Sequence, residues 1–233
     1  MQSTKNDLEM RKAEVEEVLK FLQYFETDFS IPSDADFSVL GVKTSIKANI
    51  VLMLYNAVES TVTSCLKKIH ERIRNDSLKY RDLSDQLKKI MAVYYGHSME
   101  KASNMDDEMV IALRFADFVN NLGVFDVSYD ELSNKYQLYS GNLDSKEINN
   151  VLKKYGIPFN EKCSELQTIK RDRNILAHGE MSFEEIGRDL SIPQLKEMSN
   201  RTFNFLNKMI DSVSFFLVNE GYKCSTVATI STE

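Results

Sequence analysis

Glycine and proline are scarce in this chain, and their scarcity limits the folds that it can adopt. The 233 residues include only 8 Gly and 3 Pro, too few for the frequent tight turns that connect the strands of a β-sandwich or β-barrel. With 42% apolar residues, the chain can bury one substantial core. We therefore predict an all-α protein that forms a single helical domain over residues 1–233, with its core at about 7–220 and a flexible tail at 222–233.

Apolar residues recur at steps of three and four along most of the chain, as amphipathic helices require. The pattern predicts a helical bundle with long central antiparallel helices. A loop is predicted at 27–44, and residues 123–142 fit neither period, which indicates a short irregular insertion or a hairpin. The last helix has capping-box spacing at Ser191 and Gln194 and is stopped by Gly221. The other helices are predicted at about 7–26, 45–75, 83–96, 110–119, 145–155 and 161–178.

Charge, cysteine content and hydropathy exclude several classes of protein. The formal net charge of −6 gives the molecule no general attraction for phosphate backbones, so any nucleic-acid site must be local. Three widely spaced cysteines argue against a disulfide framework and fit a reducing cytosol. The longest apolar stretch, at about 48–58, is about half the length that crosses a bilayer. We expect a cytoplasmic protein without a cofactor or a membrane segment.

The segment RNILAH, from Arg173 to His178, is the strongest candidate for chemistry. Arg173 falls on the apolar seam of its predicted helix, and a guanidinium there needs a carboxylate, a ligand phosphate or a wet interface. On composition alone, an ion pair is the favoured alternative, with Glu59 as the candidate partner. His178 lies five residues further on, about 140° around an ideal helix. The two side chains therefore do not share a face within one helix.

Histidine and arginine together meet the requirements of RNA cleavage without a metal. That reaction needs a base for the 2′-hydroxyl, a proton donor for the leaving 5′-oxygen and a cation for the developing charge. Two such helices packed about a two-fold axis can aim both arginines and both histidines into one cleft. The spacing therefore favours a homodimer, if the motif is functional.

The residues around this segment resemble a known family. RDRNILAHGEMSFEEIGRDLS, residues 171–191, is similar to the signature of the HEPN superfamily, and most similar to the HEPN-like nucleases of the MAE type. The resemblance extends to YNAVE, which contains Asn56 and Glu59, and to SGNLDSKEINNVLKKYGI, residues 140–157. It covers most of the chain and is weaker at both ends.

The resemblance implies a HEPN-type helical bundle, dimerisation and metal-independent endoribonuclease activity that leaves a 2′,3′-cyclic phosphate and a 5′-hydroxyl. By analogy, Arg173 stabilises the phosphate, His178 is the acid/base group and Asn174 orients them, with Glu59 and Asn56 in support. A toxin or phage-defence role implies an antitoxin or defence-system partner protein. Some toxin relatives carry a modified Tyr two residues after the His, where this chain has Glu180. Other HEPN relatives only bind RNA, regulate or dimerise, and that alternative stays open.

The remaining candidates have both a functional and a structural interpretation. Lys170 and Arg171 are predicted to hold RNA phosphates beside the cleaved bond, or to be solvated helix residues. Tyr94 and Tyr95 could stack on bases, although helix aromatics more often belong to the core. The histidines at 70 and 97 lack a second ligand at metal-binding spacing, so we predict no metal site.

Overall fold

The computed structural model describes residues 1–27, 38–136, 138–139 and 142–224. Most of these residues lie in α-helices. One 3-10 turn covers Tyr80–Asp82, and no strand occurs in the described ranges, so the all-α prediction is confirmed. The α-helices of the described chain are α1 (Gln2–Thr27), α2 (Val39–Asn75), α3 (Asp85–Glu100), α4 (Met105–Val119), α5 (Tyr129–Lys135), α6 (Ser145–Tyr155), α7 (Glu165–His178), α8 (Phe183–Arg188) and α9 (Ile192–Val218).

The first of two compact units comprises Met1–Ser64, Gly141–Ile148 and Asn160–Ile210. Within it, α1 runs antiparallel to α2. The Thr4 hydroxyl lies 2.9 Å from the Ser64 hydroxyl, and at the other end the Lys43 ammonium lies 5.3 Å from the centre of the Phe25 ring. The predicted antiparallel packing of long helices is confirmed for this pair. Their buried apolar residues include Leu8, Val15, Leu19, Leu22, Ala48, Ile50, Val51 and Leu54.

The second unit comprises Cys65–Ser140, Asn149–Phe159 and Asp211–Glu233. His70 is buried in this unit, with Nδ1 2.9 Å from the Val127 carbonyl and Nε2 2.9 Å from the Tyr155 hydroxyl. Tyr222, at the start of the predicted flexible tail, is also buried, and its carbonyl accepts a hydrogen bond from the Ser84 N–H. The rest of that tail, at 225–233, lies outside the described residues. A single domain over residues 1–233 stays a prediction.

Several helix boundaries differ from the predicted ones. The predicted loop at 27–44 is wrong from Val39 onward, where α2 already begins; residues 28–37 lie outside the described ranges. The third helix continues through Gly96 to Glu100, because a glycine lowers helix stability by only about 1 kcal/mol and does not end a packed helix. α4 begins at Met105 rather than at 110, since Asn104 caps it by accepting a hydrogen bond from the Asp107 N–H.

The segment 123–142 contains a short helix rather than a hairpin in its described part. Ser128 and Glu131 form a capping box at the start of α5, each accepting a hydrogen bond from the backbone N–H of the other. The predicted last helix is confirmed, with the box at Ser191 and Gln194 in place. In the described residues, no helix is both long and apolar enough to span a membrane.

Candidate active site

The candidate motif occupies the C-terminal end of α7. The helix ends at His178, and Gly179 follows in the left-handed region with φ 69° and ψ 22°. The N–H groups of Gly179 and Glu180 donate to the carbonyls of Leu176 and Ile175 at 3.2 and 3.0 Å, which is the Schellman pattern. A Cβ atom at Gly179 would meet no atom within 4 Å. The left-handed conformation, and not a lack of space, therefore favours glycine here.

The Arg173 guanidinium lies among three side chains of the first unit. Its Nη1 donates to Asn174 Oδ1 at 3.0 Å, and its Cζ lies 4.6 Å from the centre of the Tyr55 ring. Nη2 is 3.9 Å from a carboxylate oxygen of Glu59, which is long for an ion pair. The Arg173 side chain is still 32% exposed. The guanidinium is thus oriented by its neighbours and remains open to an anion from solvent.

Tyr55 and Glu59 lie one turn apart on α2, and both contact this guanidinium. The Tyr55 hydroxyl accepts a hydrogen bond from the Leu143 N–H at 3.3 Å and is hydrogen-bonded to the Glu59 carboxylate. Burial raises the pKa of Tyr55 to about 12; the Leu143 N–H opposes this shift and the charge of Glu59 adds to it. Tyr55 is therefore neutral at physiological pH and offers an uncharged ring face to Arg173, a cation–π geometry.

His178 is separated from this cluster. Its side chain is exposed, and no residue that the structure describes forms a hydrogen bond or an ion pair with its imidazole. Because α7 stays helical through His178, the offset of about 140° from Arg173 is retained. The structure brings Arg173, Asn174 and Glu59 together and places His178 on another face. Asn56, exposed on α2 one turn before Glu59, is not among the contacts of the guanidinium.

The two predicted phosphate-binding residues differ in their availability. Lys170 forms an ion pair with Asp144 in which the two side chains are 26% and 18% exposed. Arg171 contacts Asp172 at 2.8 Å but is 66% exposed. An RNA phosphate would therefore meet Arg171 directly, whereas it would have to compete with Asp144 for Lys170.

Asp144 joins two helices of the first unit. Besides Lys170 of α7, it accepts a hydrogen bond from the Glu147 N–H at 2.9 Å and so caps α6. Desolvation opposes its ionisation, but the hydrogen bonds from Lys170 and Glu147 outweigh that effect and hold the pKa of Asp144 below its ordinary value. Reading the sequence missed this residue, although an Asp immediately before a helical pattern is a recognisable cap signal. Tyr55 was missed because it lies in an apolar run that indicates only burial.

The other candidates have structural surroundings. Burial lowers the pKa of His70 to about 4, and His97 is stacked on Tyr136 and lies 2.9 Å from Glu100. Tyr95 is buried against Phe115 at a centroid distance of 4.9 Å, as expected of a core aromatic. In the described ranges, no group of three or more His, Cys, Asp or Glu side chains is placed to hold a metal ion.

Comparison with known proteins identifies the family. The model of the family described as HEPN_MAE_28990-like HEPN matches residues 1–222, a span that includes α1 to α9 and the whole candidate site. Neither the curated proteins nor the solved structures yielded a match. HEPN modules are generally nuclease-like, and their functions are related to RNA. This chain belongs to the HEPN_MAE_28990-like HEPN family.

Proposed function

We propose that this protein is a metal-independent endoribonuclease of the HEPN type, acting at a composite site of a homodimer. The observation that carries the proposal is the state of Arg173. Its guanidinium is oriented by Tyr55, Glu59 and Asn174 and remains about one-third exposed, as a group that receives a phosphate must be. Family membership supports the nuclease assignment.

The proposed chemistry assigns a role to each side chain of the motif. An imidazole of His178 accepts the proton of the RNA 2′-hydroxyl, whose oxygen then attacks the adjacent phosphorus. Protonated imidazole donates to the leaving 5′-oxygen, so the products are a 2′,3′-cyclic phosphate and a 5′-hydroxyl. Arg173 stabilises the negative charge that develops on the phosphoryl oxygens. Asn174 holds the guanidinium by the 3.0 Å hydrogen bond to Nη1.

The position of His178 supports a site assembled from two copies. On a regular α7 its imidazole lies about 140° from Arg173, so one helix does not direct both groups at the same phosphate. A second α7 related by a two-fold axis supplies the missing direction. Arg171, exposed two residues before the motif begins, is placed to contact a neighbouring phosphate of the same strand.

In the cell, we propose a toxin or phage-defence effector held in check or activated by an antitoxin or defence-system protein. Cytoplasmic RNA is then the substrate. Expression should slow growth of the host cell with the wild-type chain and not with His178→Ala, because uncontrolled RNA cleavage is toxic.

The decisive experiment is cleavage of RNA by the purified protein in the presence of EDTA. We expect cleavage by the wild type, with products that end in a cyclic phosphate, and a loss of at least a hundredfold in rate with His178→Ala. His97→Ala, which removes a half-exposed histidine of the other unit, is the matched control and should cleave at the wild-type rate. No cleavage by the wild type, or equal cleavage by His178→Ala, would contradict the proposal.

A second candidate function is a non-catalytic RNA-binding or dimerisation module. It is favoured by the contact of Arg173 with Glu59, which a purely structural ion pair would also produce. In the same assay, the Arg173→Ala variant distinguishes a ribonuclease from a non-catalytic module. An exposed, long pair contributes about 1 kcal/mol or less, so a ribonuclease should lose cleavage and keep its stability. Salt-sensitive RNA binding by the wild type without any turnover would instead favour the second function.

A further inference from the structure

Large apolar side chains are exposed from one end of α4 to the other. Met105, Met109 and Leu113 are 80%, 59% and 60% exposed, and Leu122, just beyond the helix, is 77% exposed. The opposite side is anchored by Phe115 and Phe118, whose rings lie 4.9 and 6.2 Å from that of Tyr95 on α3. Monomeric proteins rarely expose a contiguous apolar surface of this kind, and it commonly marks an interaction site.

The exposed side has the spacing of a helix-packing seam. Met105, Met109, Ala112, Ala116 and Val119 follow one another at steps of four, three, four and three, and all five are exposed. This is the a/d pattern by which one helix packs along another. The two alanines allow close approach of a neighbouring backbone. The seam therefore fits a helix as its partner rather than a flat surface.

We propose that this seam is an interface between two copies of the chain, in which α4 packs antiparallel against α4 of the partner subunit. The large residues Met105 and Met109 lie in the first half of the seam, and the small residues Ala112 and Ala116 lie in the second half. Antiparallel packing places Met105 against Ala116 of the partner subunit and Met109 against Ala112 of the partner subunit. Each of these layers then pairs a large side chain with a small one, which fills an interface without voids, while Val119 extends beyond the start of α4 of the partner subunit.

Charge favours the same direction of packing. The first turn of α4 contains Asp106, Asp107 and Glu108. Parallel helices would bring the two acidic turns side by side, where like charges are unfavourable. Antiparallel helices in this register separate the acidic turns by roughly 10 Å along the axis.

The surface is also large enough for a specific dimer. The exposed apolar residues of α4, together with Leu122, present on the order of 600 Å² per copy, which approaches the roughly 800 Å² per partner of a standard interface. This inference does not depend on RNA cleavage, and its test contains no RNA.

Cysteine cross-linking tests the register directly. In a Cys224→Ser background, which leaves only the buried Cys65 and Cys163, Met105→Cys protein is mixed with Ala116→Cys protein and oxidised mildly. We expect a covalent dimer from the mixture. Met105→Cys alone should give none, because antiparallel packing keeps the two Met105 positions roughly 16 Å apart along the axis, beyond the reach of a disulfide.

Sedimentation of the otherwise native chain provides the second measurement. Ala112→Glu places a charge in the middle of the seam and should weaken self-association at least tenfold. Val218→Glu, an equally drastic change at a residue that is 78% exposed on α9, should leave it unchanged. Cross-linking of Met105→Cys alone would show parallel packing. Absence of cross-linking in the mixture, as a different protein partner on α4 would produce, would also overturn the proposal.

Discussion

At the residue scale, the environment of Arg173 shows which contacts a sequence pattern can predict and which it cannot. The seam position of Arg173 and the acidic Glu59 in YNAVE were enough to suggest that the two groups meet, and they lie 3.9 Å apart. The Tyr55 ring under the guanidinium could not be foreseen, because an aromatic residue in an apolar run has many equally plausible neighbours. Contacts between distant segments depend on packing, which periodicity does not encode.

His70 shows the same contrast. Its spacing predicted no metal site, but nothing in the sequence indicated that both ring nitrogens are satisfied, by the Val127 carbonyl and the Tyr155 hydroxyl. These partners define a neutral imidazole in which Nδ1–H donates and Nε2 accepts.

Because of His70, the free energy of unfolding should decrease as the pH is lowered. Its pKa is about 4 in the folded protein and 6.5 when unfolded, so the unfolded chain binds the proton more tightly and gains from it as the pH falls. The contribution of neutral His70 to the free energy of unfolding is fully present above pH 6.5 and is lost between about pH 6.5 and 4. It amounts to at most about 3 kcal/mol. Urea unfolding at pH 7.5, 5.5 and 4.5 measures it.

The matched variant is His70→Gln, which cannot titrate. The pH dependence should be shallower in His70→Gln than in the wild type. An identical pH dependence in the wild type and His70→Gln would rule out this role for His70.

At the scale of elements, the long helices were predictable and the short ones were not. The period of apolar residues extends over many turns of α2 and α9, so their existence followed from the pattern. α8 has only six residues, too few for a period, although the capping box of Ser182 and Glu185 was readable in the sequence. The observed start of a helix differs from the predicted one where a capping residue, and not the apolar pattern, sets the first helical residue. Asn104 is such a capping residue for α4.

Two glycines near the motif should respond differently to the same substitution. A Cβ at Gly187 of α8 would lie 1.8 Å from the Thr44 carbonyl oxygen of α2, whereas one at Gly179 would meet nothing within 4 Å. We expect Gly187→Ala to cost about 3 kcal/mol or more, because backbone must move. Gly179→Ala should cost about 1 kcal/mol, for its left-handed φ alone. Chemical denaturation of both variants checks the order, and a larger loss at Gly179 would contradict it.

At the scale of the whole molecule, the fold class was within reach of the sequence because few glycines and prolines leave little alternative to helices. Whether two copies complete a site was not within reach, since it depends on surfaces that only the folded chain presents. The proposed composite cleft can nevertheless be tested without a structure of the dimer.

Mixing two inactive variants provides that test. Arg173→Ala protein retains His178, and His178→Ala protein retains Arg173. If the site takes its arginine from one copy and its histidine from the other, subunit exchange should restore cleavage in the mixed dimers. Since random exchange makes half of the dimers mixed, the recovery should be at most about half of the wild-type rate. Each variant alone should stay inactive. No recovery after verified exchange would place both groups of a site in the same copy.

The acidic neighbour of Arg173 has a consequence for turnover. With its oxygen 3.9 Å from the guanidinium, Glu59 orients Arg173 without a short hydrogen bond that an incoming phosphate would have to break. The same negative charge weakens the attraction of Arg173 for any phosphate, product as well as substrate. Under the proposed function, Arg173 therefore stabilises the charge that builds up during cleavage without holding the product tightly, so the enzyme exchanges its RNA readily.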